Sequence, residues 1–308
     1  MSGTGAEGTP PGAVPLGVRR ALVIGAGRSG LAAARLLVDA GAEVTLVEES
    51  ADAGVDAAAG VEVVRGRPAR ELLDERVELV VPSPGVSEHA PALREARSLG
   101  IAIWSEPELA LRRFPRRLLG VTGTNGKTSV TELLTAMARA GDLPALACGN
   151  IGTPVSEVAA VSAVDDVLVA ELSSFQLRFT ERLRAEVAVL TNLAPDHLDW
   201  HGDLAHYQAA KARLFATQTA TDWAVLPAAD PVAAAVRDGQ GTARLAHFRP
   251  DGPVPLGVGW QPDGALGTLV WQGEGAVQEV VPVAALAEGG GPVPRHRVAN
   301  VAAAATAA

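Results

Sequence analysis

One cysteine, Cys148, stands in 308 residues, so no intrachain disulfide can staple the chain, and such usage fits a reducing cytoplasm. No apolar run reaches the ~20 residues that a membrane-spanning helix needs. Positive charge is scarce. Lys and Arg number 26 against 35 Asp and Glu, a net charge of −9, which argues against nucleic acid or an anionic membrane as a bulk partner. Residues 1–17 are rich in Gly, Pro and Thr and carry neither a basic n-region nor an apolar h-region. They are expected to form a disordered leader rather than a signal peptide. The length suggests about two domains with ample core.

What is present is concentrated between Gly120 and Ser129, GVTGTNGKTS. The segment follows the apolar run 118–121 and opens an amphipathic pattern with Val130, Leu133, Leu134 and Met137 on one face. A strand, a glycine-rich turn and a helix are what a phosphate-binding loop requires. Glycines let backbone N–H groups approach phosphate oxygens, the helix N-terminus favours negative charge, and Lys127 neutralises it. Thr128 would place its hydroxyl on Mg²⁺. The longer G-x-x-x-x-G-K-T pattern needs glycine at 121 and finds Val121, so the shorter form from Gly123 to Thr128 remains. The bland alternative is a glycine-rich turn with a surface lysine; ATP binding explains more of the residues.

Elsewhere the chain alternates strand and helix patterns. Strands are expected over 20–25, 43–47 and 77–81 and a helix over 29–40, which implies a parallel sheet in an α/β domain. Residues 112–117, basic and containing Pro115, are the expected linker between a first domain, 18–111, and a second, 118–308. The second has strands expected over 166–172, 186–192 and 223–226. Short strands with Gly and Pro turns after Ala243, such as 267–273 and 277–283, suggest an antiparallel excursion. No internal repeat is visible. Residues 298–308 have the pattern of an Ala-rich helix without a closing signal, so the chain is expected to be a fragment that stops mid-element.

Four further constellations follow strands. Gly25-Ala-Gly-Arg-Ser-Gly30 is a G-x-G-x-x-G with Glu48 near the end of the next strand, where a ribose-binding acid would sit. NAD binding and tight helix–strand packing both account for it. Ser83-Pro-Gly85 would face the same sheet edge. Glu171 ends an apolar strand beside the phosphate loop, placed to hold Mg²⁺ or to cap a turn. Asp196, His197 and Asp199 cluster where the chain leaves the next strand, and His197 could be structural. Lys211 lies seven residues after Leu204 and four after Tyr207, on the inward stripe of a helix expected over 203–216 with Leu214 and Phe215. A charged lysine there costs several kcal/mol unless paired, shifted in pKa or modified. Snorkelling is the bland reading; a carbamylated Lys211 could ligate Mg²⁺ near His197.

In order, Gly123 to Thr128, Asn150-Ile-Gly152, ELSSFQ from Glu171 to Gln176, Asp196-His-Leu-Asp199 and Tyr207-Gln-Ala-Ala-Lys211 resemble the Mur ligases. The phosphate loop alone is shared with folylpolyglutamate synthases; the ELSSFQ string is narrower and resembles the D-glutamate-adding branch. The resemblance runs from about residue 20 to 308. It implies a Rossmann-like N-terminal domain, then a P-loop central ATPase domain incomplete at its C-terminal end, and a third domain that this chain lacks.

Carried over, the resemblance implies that Gly123, Thr124, Asn125, Gly126, Lys127, Thr128, Ser129 and Asn300 hold ATP. Thr128 with Glu171 would hold one Mg²⁺, and His197 with carbamylated Lys211 a second. Lys127, His197 and Lys211 would form the catalytic set, and Arg28, Ser29, Gly85 and Asn150 would bind the UDP-sugar. The implied reaction adds D-glutamate to UDP-N-acetylmuramoyl-L-alanine through an acyl phosphate, in the cytoplasm, by a monomer, in peptidoglycan precursor synthesis. Two departures stand out. Glu48-Glu49-Ser50 occupy the place of a basic or hydroxyl residue that helps hold the nucleotide, and Arg297 replaces an asparagine in His296-Arg-Val-Ala-Asn300. The resemblance assigns this reaction to the parent protein and does not imply activity of these 308 residues alone; the alternatives are a non-catalytic ATP- and UDP-sugar-binding remnant, and an NAD-dependent oxidoreductase.

Overall fold

The computed structural model describes residues 10–228, 230, 233, 241–263, 266–273, 275–287 and 292–308. They form two compact units: residues 1–116 with 154–166, and residues 117–153 with 167–308.

In the first unit the chain runs β1 (Arg20–Ile24), α1 (Arg28–Asp39), β2 (Glu43–Glu48), β3 (Val61–Arg65), β4 (Leu79–Pro82), α2 (Pro91–Ser98), β5 (Ala102–Ile103) and α3 (Glu106–Arg113). The five strands pair in parallel in the order β3-β2-β1-β4-β5. Because connections leave β1 in one direction and β4 in the other, the C-terminal ends of β1 and β4 frame a switch point, where open α/β sheets bind ligands. Of the leader expected over residues 1–17, residues 1–9 lie outside the described residues. The remainder is held rather than loose: Val14 N–H donates to the Arg113 carbonyl, and Arg116 donates to the Pro11 carbonyl.

The second unit opens with β6 (Arg117–Thr122), α4 (Lys127–Ala140) and β7 (Ala145–Gly149). Residues 154–166 then add helix α5 (Val155–Val161) to the first unit. There the buried Glu106 carboxylate, at the start of α3, accepts the Ser156 N–H at 2.6 Å. Burial raises the Glu106 pKa to about 7. Arg116 closes the same join with bonds to the Ser162 hydroxyl and to the Ala159 and Ser162 carbonyls.

The second unit continues with β8 (Val167–Glu171), α6 (Ser174–Arg178), β9 (Val187–Leu190), α7 (Leu198–His201), α8 (Leu204–Ala212), β10 (Trp223–Pro227), β11 (Arg244–Arg249), β12 (Gly257–Gln261), β13 (Thr268–Gly273), β14 (Ala276–Pro282) and α9 (Arg295–Ala307). Its sheet runs β14-β13-β12-β11-β10-β9-β6-β8-β7. Pairing is parallel from β7 to β12 and antiparallel through β13 and β14, so the expected antiparallel excursion is present. Val130, Leu134 and Ala138 of α4 and Val298, Val301 and Ala302 of α9 share one core with Val121, Val169 and Val189 of the sheet. The helix expected over 203–216 ends at Ala212 and passes into a tighter 3₁₀ turn, Arg213–Phe215.

Candidate functional site

Sheet order assembles the site. Neighbouring strands β9, β6, β8 and β7 all end at the same edge, and after them come Thr191, Gly123, Leu172 and Asn150 respectively. β6 passes into a turn with Gly123 at φ +146° and Gly126 at φ +81°, and Gly126 caps α4. Both positions need glycine. A Cβ on Gly123 would lie 1.9 Å from Thr191 Oγ1, and one on Gly126 would lie 2.4 Å from Asn300 Oδ1. The predicted ATP residue Asn300, on α9, therefore rests against the turn that holds Gly123, Thr124, Asn125 and Gly126. Lys127 Nζ curls back to donate to the Thr124 carbonyl at 2.9 Å. Ser129 is exposed in the first turn of α4.

Glu171, at the end of β8, is 2% exposed, and both its oxygens are engaged. Thr128 Oγ1 donates to one at 2.8 Å and Asn150 Nδ2 to the other at 2.9 Å. Three predicted residues thus meet at one carboxylate. Asn150 sits on it, with its own N–H on the Glu171 carbonyl at 2.8 Å.

Lys211 is as buried as the stripe argument requires, at 2% exposure, with Tyr207, Leu214 and Phe215 buried around it and Leu204 half-buried. Its Nζ donates to the Gly123 carbonyl at 2.8 Å and lies 4.7 Å from the centre of the Tyr207 ring. Burial, reinforced by the Lys127 charge and opposed by Asp196 and Glu171, lowers its pKa to about 7. A large neutral fraction therefore exists at neutral pH.

His197 caps α7 in the left-handed conformation, φ +50°. Its ring faces Phe175 at 4.9 Å and its Nε2 lies 3.5 Å from Asp196 Oδ2. Among the described residues no hydrogen bond or ion pair joins it to Lys211 or Glu171, so the two halves of the predicted second metal pair are not in direct contact. No group of three or more His, Cys, Asp or Glu forms a cation cage among the described residues. Arg297, which stands where an asparagine was expected, donates to the Leu286 carbonyl at 3.1 Å.

Sequence reasoning missed the residues that hold the turn. Asn192 pairs with both N–H and C=O of Asn125, and Thr191 Oγ1 donates to the same carbonyl at 2.6 Å. Thr124 Oγ1 lies 3.0 Å from Tyr207 Oη. The only signal was a hydroxyl and an amide directly after an apolar strand.

The other three predicted residues, Arg28, Ser29 and Gly85, belong to the first unit. Arg28 and Ser29 begin α1, and Gly85 lines a cavity of about 450 Å³ with Gly25, Glu48, Glu49, Arg70 and Val86. A Cβ on Gly30 would lie 2.1 Å from the Gly25 carbonyl oxygen, so the glycine there serves close packing. Glu48 turns to its own backbone: Oε2 accepts the Ala26 N–H at 3.0 Å and Oε1 the Ser50 N–H at 3.1 Å. Those bonds, Ala26 first, lower its pKa.

The Mur ligase MurD-like N-terminal domain family matches residues 19–105, and the Mur ligase middle domain family matches residues 121–248. UDP-N-acetylmuramoylalanine--D-glutamate ligase of Desulfitobacterium hafniense (strain Y51) is 40% identical over 253 residues, 80% of this chain and 55% of that protein. The protein of the same name from Lacticaseibacillus casei (strain BL23) is 44% identical over 214 residues, 68% and 47% of the two chains. The chain thus spans about half the length of the curated relatives it matches. Among solved structures, UDP-N-acetylmuramate:L-alanyl-gamma-D-glutamyl-meso-diaminopimelate ligase from Neisseria meningitides has a TM-score of 0.58 at 19% identity. That match covers 93% of this chain and 92% of the other and speaks for the fold. With both domain families matched in order, and the glycine-rich turn at the start of the second, the chain belongs to the Mur ligases.

Proposed function

We propose that the protein is an ATP-dependent amide ligase that adds D-glutamate to UDP-N-acetylmuramoyl-L-alanine in peptidoglycan precursor synthesis. The observation that carries this is the turn from Gly123 to Thr128, which meets Glu171 and Asn150 at one sheet edge in a chain whose curated relatives bear that name. In this reading Gly123 to Ser129 and Asn300 surround the nucleotide phosphates, and Lys127 leaves the Thr124 carbonyl to neutralise them. Arg28, Ser29 and Gly85 hold the UDP-sugar. Asn150 acts beside Glu171, at the ATP end of the reaction.

The donor set suits Mg²⁺. A buried carboxylate and a hydroxyl, without a full protein cage, match an ion that keeps several waters and binds phosphate oxygens. Thr128 with Glu171 would hold one ion, and His197 with Lys211 a second. The metal would offset the charge crowded between ATP and the substrate carboxylate as the acyl phosphate forms. The amino group of D-glutamate then attacks the acyl carbon, phosphate leaves, and the ammonium proton passes to solvent or base. Neutral Lys211 Nζ is a nucleophile toward CO₂: an N–C bond forms, an oxygen takes the electron pair, and one proton is released, leaving an anionic carbamate. ¹³C NMR with labelled bicarbonate should give a carbamate signal that Lys211→Met abolishes.

The oxidoreductase alternative is disfavoured because it leaves the turn from Gly123 to Thr128, its meeting with Glu171 and the buried Lys211 without a role. The ligase reading is tested by incubating the protein with ATP, Mg²⁺ and UDP-N-acetylmuramoyl-L-alanine, with and without D-glutamate. Phosphate release that needs D-glutamate, with a product heavier by one glutamyl residue, is expected. Release that ignores D-glutamate would refute it.

A further inference from the structure

The turn that meets phosphate is short, and what holds it open comes from outside it. Three successive carbonyls are each drawn off by a side-chain donor: Gly123 O by Lys211 Nζ at 2.8 Å, Thr124 O by Lys127 Nζ at 2.9 Å, and Asn125 O by Thr191 Oγ1 at 2.6 Å and Asn192 Nδ2 at 2.8 Å. Asn192 also accepts, its Oδ1 taking the Asn125 N–H at 2.9 Å and its backbone carbonyl taking the Thr124 N–H at 3.0 Å. A carboxamide bonded at both ends to one residue cannot rotate without breaking both bonds.

A trans peptide points its C=O and the following N–H in opposite directions. Fixing the Asn125 carbonyl toward Asn192 therefore turns the Gly126 N–H the other way, and that N–H has no partner among the described residues. Gly126 at φ +81° has no Cβ to resist rotation, so the Asn125–Gly126 peptide is the link in the turn most free to flip. Flipped, it would present a carbonyl dipole, repulsive to an anion, in place of an N–H.

The geometry points to Asn192, backed by Thr191, as a positioning residue that locks this peptide in its phosphate-accepting orientation. The inference rests on the ATP reading of the loop and goes beyond it by assigning the loop's preorganisation to residues that touch no phosphate. Lys127 supplies charge; Asn192 supplies direction.

The test compares wild type with Asn192→Ala, Asn192→Asp, Thr191→Val and Thr191→Ser by calorimetric titration with ATP and Mg²⁺, alongside thermal melts. Asn192→Ala should weaken ATP binding about tenfold or more, as expected when two hydrogen bonds that fix a binding group are lost. Asn192→Asp keeps the acceptor for Asn125 N–H but sets an anionic oxygen against the Asn125 carbonyl, so it should weaken binding further. Thr191→Val should weaken binding and Thr191→Ser should restore it. A merely structural role would lower the melting temperature and leave the ATP affinity of the folded protein unchanged. ATP binding within twofold of wild type in Asn192→Ala would overturn the proposal. Amide exchange in the nucleotide-free protein separates the lock from the ATP reading. The Asn125 N–H should be protected in wild type and exposed in Asn192→Ala whether or not ATP binds, and an unprotected wild-type Asn125 N–H would overturn the lock by itself.

Discussion

Two turns in this chain share a grammar: an apolar parallel strand, glycines, then a helix. In the first unit the turn after β1 gives its Ala26 N–H to Glu48, so the protein supplies the anion itself. In the second, Lys127 brings positive charge to the turn, and Lys211, Thr191 and Asn192 brace it, leaving the helix end for an external anion. The glycines are alike; the charge placed against them differs. A glycine-rich turn thus announces a backbone approach, and only its neighbours decide what approaches.

The largest effect that would break this contrast is at Lys127. Lys127→Ala should weaken ATP binding about 100-fold, toward the upper end of what a hydrogen bond to a charged group contributes, with an unchanged melting temperature. Unchanged affinity by titration would erase the distinction between the turns.

Next are the glycines. Gly30→Ala sets a Cβ 2.1 Å from backbone, and Gly123→Ala sets one 1.9 Å from Thr191 Oγ1 with φ at +146°. Each should cost about 2 kcal/mol in thermal or denaturant unfolding. Only Gly123→Ala should also impair ATP binding.

A smaller effect is pH-dependent and belongs to the first unit. The folded pKa of Glu106, about 7, lies above its ordinary value of 4.5. The native state therefore holds the extra proton between those values, and the stability this contributes is present below about pH 4.5 and lost as pH rises through 7. Glu106→Gln keeps the acceptor for Ser156 N–H and should raise the melting temperature at pH 8 by the equivalent of about 1–2 kcal/mol. A melting curve against pH as steep as that of wild type would contradict the assignment.

Smallest is Glu48→Gln. The Glu48 pKa is depressed, so its contribution is present above pH 4.5 and fades as pH falls through the lower folded value. Its partial exposure keeps the loss below about 1 kcal/mol. ATP affinity should not move.

Much of this was legible. Strand and helix alternation implied the parallel sheet of the first unit and the parallel part of the second, and the antiparallel strands followed from short apolar runs between Gly and Pro turns. Lys211 was readable because helical periodicity put it on a buried stripe. The brace was not readable. Asn192 and Asn125 are 67 residues apart and meet only because β9 pairs with β6. Nor was the transfer of α5 to the first unit, which depends on a buried carboxylate in α3 meeting the Ser156 N–H 50 residues later. Residues 10–17 looked loose from composition, which does not register that Arg113 and Arg116 bind their backbone. Helical spacing likewise carried the helix after Asp203 too far, since Arg213 to Phe215 fit an inward stripe equally well in a 3₁₀ turn.

The central claim is that the turn in the second unit, and not the one in the first, takes the phosphates of ATP. Titrating ATP with Mg²⁺, and separately NAD, into wild type, Lys127→Ala and Glu48→Gln tests it directly. The account predicts saturable ATP binding in wild type and Glu48→Gln, its loss in Lys127→Ala, and no NAD binding to wild type. NAD binding that survives Lys127→Ala, or ATP binding indifferent to Lys127, would contradict it.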